Sequence, residues 1–207
     1  GDHVITYTTS STCPSTSSRT ITITPLEDAT FTFSSSSYCT GSSNVSPTIT
    51  TPGGTFISPA NLYMNASTRL INIALSTPGT YTVTYTTAGT CTNTSTGTIT
   101  INALDDASFS YADSNYCSSD SDPSATITGL TGGTFSSTAG LVFTNTSSGT
   151  IDLDGSTPGT YTVTYTTAGT CTNTAGFEVT ITAQDSATIS YSSATYCPLE
   201  SDPSPSI

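Results

Sequence analysis

The chain has 207 residues, with two basic side chains, Arg19 and Arg69, against fourteen acidic ones, for a net charge of −12. Such a surface repels phosphate and anionic lipid, which argues against nucleic-acid and membrane-surface binding, and no run reaches the roughly 20 apolar residues of a membrane span. Only 8% of residues are charged, and Ser plus Thr make up roughly two fifths of the chain, alternating with apolar residues in the period of a β-strand instead of forming a disordered tract.

The first predicted elements lie in Val4 to Cys13, VITYTTSSTC, and the segment after it. They read as the last two strands, F and G, of a repeat that is complete further on. Residues 28–105 form the first full copy. It opens on DATFTFSSSSYC (Asp28 to Cys39) and closes around STPGTYTVTYTTAGTCTNT (Ser76 to Thr94). Residues 106–184 form the second. Its opening, DASFSYADSNYC (Asp106 to Cys117), is a variant of the first, and Ser156 to Thr174 repeats Ser76 to Thr94 letter for letter, 80 positions later. Residues 185–207 begin a further copy, with SATISYSSATYC at Ser186 to Cys197. The chain opens in mid-strand and shows no signal peptide, so more sequence is expected on either side.

Within 106–184 the strands follow in order. Phe109 and Tyr111 mark A, and Ile127 marks B. Thr131-Gly132-Gly133 turns into C at Phe135. Leu141 and Phe143 mark D, and Ile151 and Leu153 alternate with Asp152 and Asp154 in E. Thr157-Pro158-Gly159 turns into F (Tyr161, Val163, Tyr165), and G carries Phe177, Val179 and Ile181. Period-two alternation buries one face and wets the other. About seven short strands at this spacing predict an all-β fold of tandem Ig-like or cadherin-like Greek-key sandwiches, in a linear array with each G strand running straight into the next A. A unit near 80 residues buries a modest core, so support from disulfides or neighbours is expected. Tyr81, Tyr85, Tyr161 and Tyr165 are expected in that core.

The phrases GTYTVTYTTAGTC, DASFSYADSNYC…DPSATITGLTGGTFSSTAGL and SSGTIDLDGSTPGTYTVTY resemble repeats of very large Bacteroidota cell-surface proteins, most of all the SprB-type gliding-motility adhesins exported by the type IX secretion system. The resemblance covers almost the whole chain. It implies an extracellular, surface-tethered filament of a secreted adhesin on the bacterial cell surface, used in gliding motility or attachment. Adjacent repeats of the same chain are then its partners, and an external surface or polysaccharide its target. The runner-up reading is a carbohydrate-binding or accessory Ig-like module of a secreted enzyme. The two differ in repeat number: dozens for an adhesin, one to three for a module.

Catalysis is not expected. His3 is the only histidine and lies in the truncated opening copy, so no Ser-His-Asp or Cys-His set can recur. Lysine is absent, which rules out Lys–Asn isopeptide cross-links. The cysteines lack the close spacing and histidine partners of zinc sites. Carboxylates cluster at Asp105, Asp106, Asp113, Asp120, Asp122, Asp185, Glu200 and Asp202, and calcium takes such ligands. The first repeat, however, has Gly41-Ser42-Ser43 where the second has Ser119-Asp120-Ser121, so this set is not repeated and reads as solvated surface. No cofactor is expected, with calcium the one ion left open. Asn65, Asn93 and Asn145 head Asn-x-Ser/Thr triplets that read as chance in so Ser/Thr-rich a chain. Asp185-Ser186-Ala187 resembles a Bacteroidota O-glycosylation pattern, with Ser186 as acceptor.

Each repeat has an early Cys (39, 117, 197) and a late Cys in the F–G turn (13, 91, 171). Even numbers at regular spacing point to disulfides and an oxidising compartment. Pairing within a repeat would join Cys39 to Cys91 and Cys117 to Cys171. Pairing between repeats would join Cys39 to Cys171, leaving the others to repeats beyond the chain. Strand counting favours the second, because strand A carries its Cys to the pole opposite the F–G turn.

Overall fold

The structure is a computed structural model, and it describes residues 1–198 and 201–206. It divides into two compact units, Gly1–Leu104 and Asp105–Ile207. Every regular element among the described residues is a strand.

The first unit opens on a hairpin of β1 (Asp2–Thr8) and β2 (Thr16–Thr22). β3 (Phe31–Thr32), β4 (Ser37–Cys39), β5 (Thr48–Ile49), β6 (Thr55–Ile57), β7 (Gly79–Thr86) and β8 (Thr94–Asn102) follow. One sheet has the order β4-β8-β7-β6, while β3 pairs with β5. The second unit holds β9 (Phe109–Ser110), β10 (Asn115–Cys117), β11 (Thr126–Ile127), β12 (Thr134–Ser137), β13 (Val142–Asn145), β14 (Thr150–Asp152), β15 (Gly159–Thr166) and β16 (Thr174–Thr182). Its main sheet runs β10-β16-β15-β12, with pairs β9–β11 and β13–β14 on the opposing side. These are tandem Ig-like, cadherin-like β-sandwiches.

Strand A differs from its sequence reading in one respect. It is split in two. β3 pairs antiparallel with β5, and the chain then crosses to the other sheet, where β4 runs parallel to β8. β9 and β10 repeat the manoeuvre. The tyrosine after the crossing fixes it: the Tyr38 hydroxyl accepts the Ser35 amide at 2.8 Å, and the Tyr116 hydroxyl accepts that of Asp113 at 3.0 Å.

Strands D and E also differ between repeats. In the second they are β13 and β14, with a register shift between Phe143 and Asn145. In the first they reduce to isolated bridges of Ile71 with Val45 and Met64. The second repeat has one extra residue here, Thr144, which forms the bulge. The bends on either side need positive φ, met by Gly140 (110°) and Gly149 (64°) in the second repeat but by Asn61 (72°) and Arg69 (62°) in the first.

Each sandwich has its own core. Alternation in β7 and β15 turns Tyr81, Val83, Tyr85 and Tyr161, Val163, Tyr165 inward, and all six are buried. Ile99, Ile101, Ile71 and Ile73 complete the first core, and Val179, Ile181, Ile151 and Leu153 the second. The outward positions of β7 and β8 are threonines at facing registers: Thr80–Thr100, Thr82–Thr98, Thr84–Thr96 and Thr86–Thr94.

The repeated sequence is spent on tethers. The Tyr85 hydroxyl donates to the Thr51 carbonyl at 2.5 Å and accepts the Gly54 amide at 3.0 Å. Tyr165 does the same with Leu130 and Gly133. A Cβ at Gly54 would lie 2.1 Å from the Thr86 carbonyl oxygen, so this close approach admits only glycine. Buried Ser76 and Ser156 donate to the carbonyls of Asn72 and Asp152 and accept the amides of Tyr63 and Val142.

Candidate functional site at the ends of the repeats

The turn between F and G is built alike in all three copies. Thr87 and Asn93 close it by a backbone bond and by the Asn93 amide donating to Thr87 Oγ1 at 2.9 Å. Thr167 and Asn173 do so at 2.8 Å, and Thr9 and Ser15 at 2.9 Å.

This turn grips the residue that precedes each repeat. The Glu27 amide donates to the Cys91 carbonyl at 3.0 Å, and the Asp105 amide to the Cys171 carbonyl at 2.8 Å. Asn93 Nδ2 returns a bond to the Glu27 carbonyl, and Asn173 Nδ2 to that of Asp105, each at 2.9 Å. The acids engage too: Glu27 Oε2 accepts the Gly89 amide, and Asp105 Oδ2 the Thr167 hydroxyl. One residue earlier, Leu104 packs toward its own repeat, its Cδ2 lying 3.7 Å from where a Cβ on Gly41 would stand. Leu104 and Asp105, consecutive in the chain, are therefore anchored in different units.

The predicted cysteines sit at both poles. Cys39 ends β4 beside Asn102, at the far end of β8 from Cys91. Eight residue steps of a strand cover about 26 Å. Cys117 lies beside Thr182 in the same way, far from Cys171. Cys39 and buried Cys171 are both disulfide-bonded, whereas Cys13, Cys91 and Cys117 carry thiols. Cys197 and Ser186 are exposed.

The expected carboxylates are mostly turn ligands. Asp106 Oδ1 accepts the Ser108 amide and hydroxyl, and Asp28 binds Thr30 likewise, so both carboxyls sit below their usual range. Asp113 Oδ1 accepts the Ser114 and Asn115 amides. Asp120 Oδ2 accepts the Cys117 amide, as Ser42 Oγ accepts that of Cys39, which explains how a carboxylate and a hydroxyl exchange at this position. Glu200 lies outside the described residues. The structure does gather one set that sequence reading did not group: Asp122, Asp152 and Asp154, with carboxylate oxygens within 4.8 Å of one another. The Asp152 side chain beside Asp154 raises the Asp154 carboxyl above its usual range, first by hydrogen bonding and then by charge.

These three oxygens suit a divalent cation in kind, yet two of them already have backbone duties. Asp122 Oδ1 accepts the Leu153 amide at 3.0 Å and Asp152 Oδ1 that of Gly155 at 2.8 Å. In the first repeat, Asn44 and Asn72 accept the Ile73 and Leu75 amides at the same places. Ala74 stands in the position of Asp154. The sequon asparagines also have structural work. Asn65 and Asn145 Oδ1 atoms each accept two amides of their own turns.

No protein-family profile and no curated relative matches the sequence. Among solved structures, the chain is similar to mouse clustered PcdhgC3 EC1-3 at 12% identity and TM-score 0.34, over 89% of this chain and 77% of that one. It is similar to Drosophila OTK extracellular domains 3-5 at 13% identity and TM-score 0.44, over 84% and 67%. It is also similar to a Ca2+-stabilized adhesin that helps an Antarctic bacterium reach out and bind ice, at 16% identity and TM-score 0.38, over 92% of this chain and 58% of the adhesin. The likeness is one of fold. No helix among the described residues is long and apolar enough to cross a membrane.

Proposed function

We propose that this chain is a load-bearing stalk segment of a large extracellular adhesin, in which each repeat is stapled to the next. The parent protein would stand on a bacterial surface and serve gliding motility or attachment, a reading supported by the resemblance of its repeats to those of such adhesins. The observation that carries the reading is that Cys39, at one pole of its own repeat, and Cys171, at the opposite pole of its own, are both disulfide-bonded. Asn102 lies beside Cys39, Asp105 bonds the Cys171 backbone, and three residue steps separate these anchors. That span is at most about 10 Å at full extension, a short connection that supports pairing of Cys39 with Cys171 over pairing within a repeat. Cys39 and Cys171 are the disulfide-bonded cysteines. In a longer array Cys117 then pairs with the late Cys of the repeat that begins at residue 185, and Cys91 with the early Cys of the repeat before residue 28. A covalent bridge beside a short connection restrains bending between small domains, whose interfaces are otherwise mobile.

A non-reduced proteolytic digest analysed by mass spectrometry tests the staple. A peptide linking Cys39 to Cys171 supports it, and one linking Cys39 to Cys91 overturns it. Small-angle scattering with and without reductant tests the mechanical part. Reduction should broaden the distance distribution while the β-sheet circular dichroism persists, and an unchanged distribution would remove the staple from any mechanical role.

A further inference from the structure

Each complete repeat joins an early corner, strand A with B, to a late hairpin, F with G. The chain carries one further late hairpin and one further early corner outside its two complete repeats. The hairpin is β1–β2. Its register sets Ile5 opposite Arg19 and Tyr7 opposite Ser17, as β7 and β8 set Val83 opposite Gly97 and Tyr85 opposite Ser95. The face that is buried on β7 and β8 is uncovered here: Ile5 is 56% exposed, Tyr7 70%, Ile21 54% and Ile23 61%. Among the described residues, β2 has no strand on its outer edge, where β8 carries β4.

The corner lies in residues 186–198 and 201–206, and it is already folded as one. Ser190 and Ser206 exchange two backbone hydrogen bonds, of 2.9 and 2.8 Å, where Thr32 and Thr48 pair in the first repeat. The Tyr196 hydroxyl accepts the Ser193 amide at 3.0 Å, as that of Tyr38 accepts the Ser35 amide. Its apolar side chains are uncovered as well, Ile189 being 66% exposed, Tyr191 51% and Tyr196 37%. In the first repeat the same positions pack on the late hairpin. Tyr38 lies beside Ile101 on β8, and the Phe31 ring is 6.2 Å from that of Tyr85.

We infer that copies of this chain associate head to tail, the early corner of one copy docking on the β1–β2 hairpin of another to form a sandwich shared by two chains. Thr195 and Tyr196 then run parallel to Thr22 and Ile23, in the register of Ser37 and Tyr38 against Thr100 and Ile101. Strand addition at an open edge fixes the register, and the two apolar faces supply the energy. Arg19 departs from the pattern of the complete repeats, and the corner suits it. Arg19 stands at the position of Phe177, whose ring lies 5.7 Å from that of Tyr111. Tyr191 stands at the position of Tyr111, so the guanidinium meets a tyrosine ring, a favourable cation–π pair. The shared sandwich lacks strands C, D and E, which sets the affinity low, with Kd on the order of 100 µM. The joint follows from the register of the repeats, and only its cysteines rest on the stalk reading. By that reading an early Cys pairs with the late Cys of the next repeat, which here joins Cys117 of one copy to Cys13 of the other, both exposed thiols.

The test is sedimentation equilibrium of the 207-residue chain in about 150 mM salt, which screens the repulsion between copies of charge −12. The weight-average mass should rise past that of a monomer between about 10 µM and 1 mM. Ile21→Asp, on the hairpin, and Tyr191→Asp, on the corner, should each stay monomeric over that range. An equimolar mixture of the two variants should give a dimer and nothing larger, because one intact corner meets one intact hairpin. Tyr191→Asp leaves the hairpin untouched, so the mixture reports on the joint even where Ile21→Asp unravels its own hairpin. A wild-type chain that stays monomeric throughout overturns the inference. So does either variant associating alone as strongly as wild type, or a mixture that stays monomeric. Glutathione disulfide then tests the cysteines: it takes up the two electrons and two protons as Cys13 and Cys117 join, and leaves as two glutathione thiols. A non-reduced digest should contain the Cys13–Cys117 peptide. Association that passes the variant test without that peptide upholds the shared sandwich and counts against the staple.

Discussion

At the residue scale, the repeats report on each other. Arg69 holds a φ of 62° where the second repeat has Gly149 at 64°. A left-handed conformation costs a non-glycine residue about 1 kcal/mol or more, so Arg69→Gly should raise the unfolding free energy of the first repeat by about 0.5–1 kcal/mol in urea denaturation. The Tyr85 hydroxyl makes the opposite case. Tyr85→Phe strands the Gly54 amide and the Thr51 carbonyl in a part-buried corner, and should cost about 1–3 kcal/mol in the same measurement. The carboxylates give a signed pH dependence. Asp28 and Asp106 have folded-state pKa values below the unfolded 3.8, so their contribution is present above about pH 4 and is lost as pH falls through the folded values. Asp154 is raised, first by its hydrogen bond with the Asp152 side chain and then by that group's charge, so ionising it weakens the fold at neutral pH, and the effect is relieved as pH falls toward the raised value. In chelator, Asp154→Ala, which copies Ala74 of the first repeat, should raise the melting temperature at pH 7 and change it little at pH 3. An equal rise at both pH values would show that charge is not the cause.

At the element scale, the G strand and the F–G turn organise each repeat. β8 carries β4 on one side and β7 on the other, and its turn holds the residue that enters the repeat. Asn173 is the hinge of this arrangement, because its Nδ2 reaches the Asp105 carbonyl while its backbone closes the turn on Thr167. Asn173→Ala removes the reach and keeps the closure. The second unit should lose about 1 kcal/mol, and amide exchange should quicken at Asp105 while β15 and β16 keep their protection. Uniform loss of protection would assign Asn173 to the core fold instead. Strand A was legible as apolar alternation in Phe109 and Tyr111, but its split was not. The alternation says which side chains face inward and is silent on which of two sheets supplies the hydrogen bonds.

At the scale of the whole molecule, the second unit contains a full set of strands and a closed core between Ala107 and Ile181. A fragment of residues 105–184 should therefore fold alone as a monomer with two-state denaturation, and a molten fragment would show that the sandwiches depend on their neighbours. The opening hairpin behaves differently. Ile5, Tyr7 and Ile21 are exposed, although they occupy the register positions of the buried Val83, Tyr85 and Ile99. Only the remaining strands of a sandwich bury such residues, and those strands are not in residues 1–27.

The sequence alone determined the all-β class, the tandem repetition, the inward tyrosines and the poles at which the cysteines stand. Those follow from period-two patterning and from counting residues along strands, which need no knowledge of what lies across the sandwich. Only the tertiary structure decided the grip of Asn93 and Asn173 on the entering residue and the gathering of Asp122 with Asp152 and Asp154. The partners in these sites lie about 30 to 70 residues apart, and each pair meets because two sheets twist and close on one another. A glycine in place of a phenylalanine reads in sequence as one weak position of a strand. In space the Phe31 ring takes up that position, since a Cβ on Gly97 would lie 2.8 Å from it.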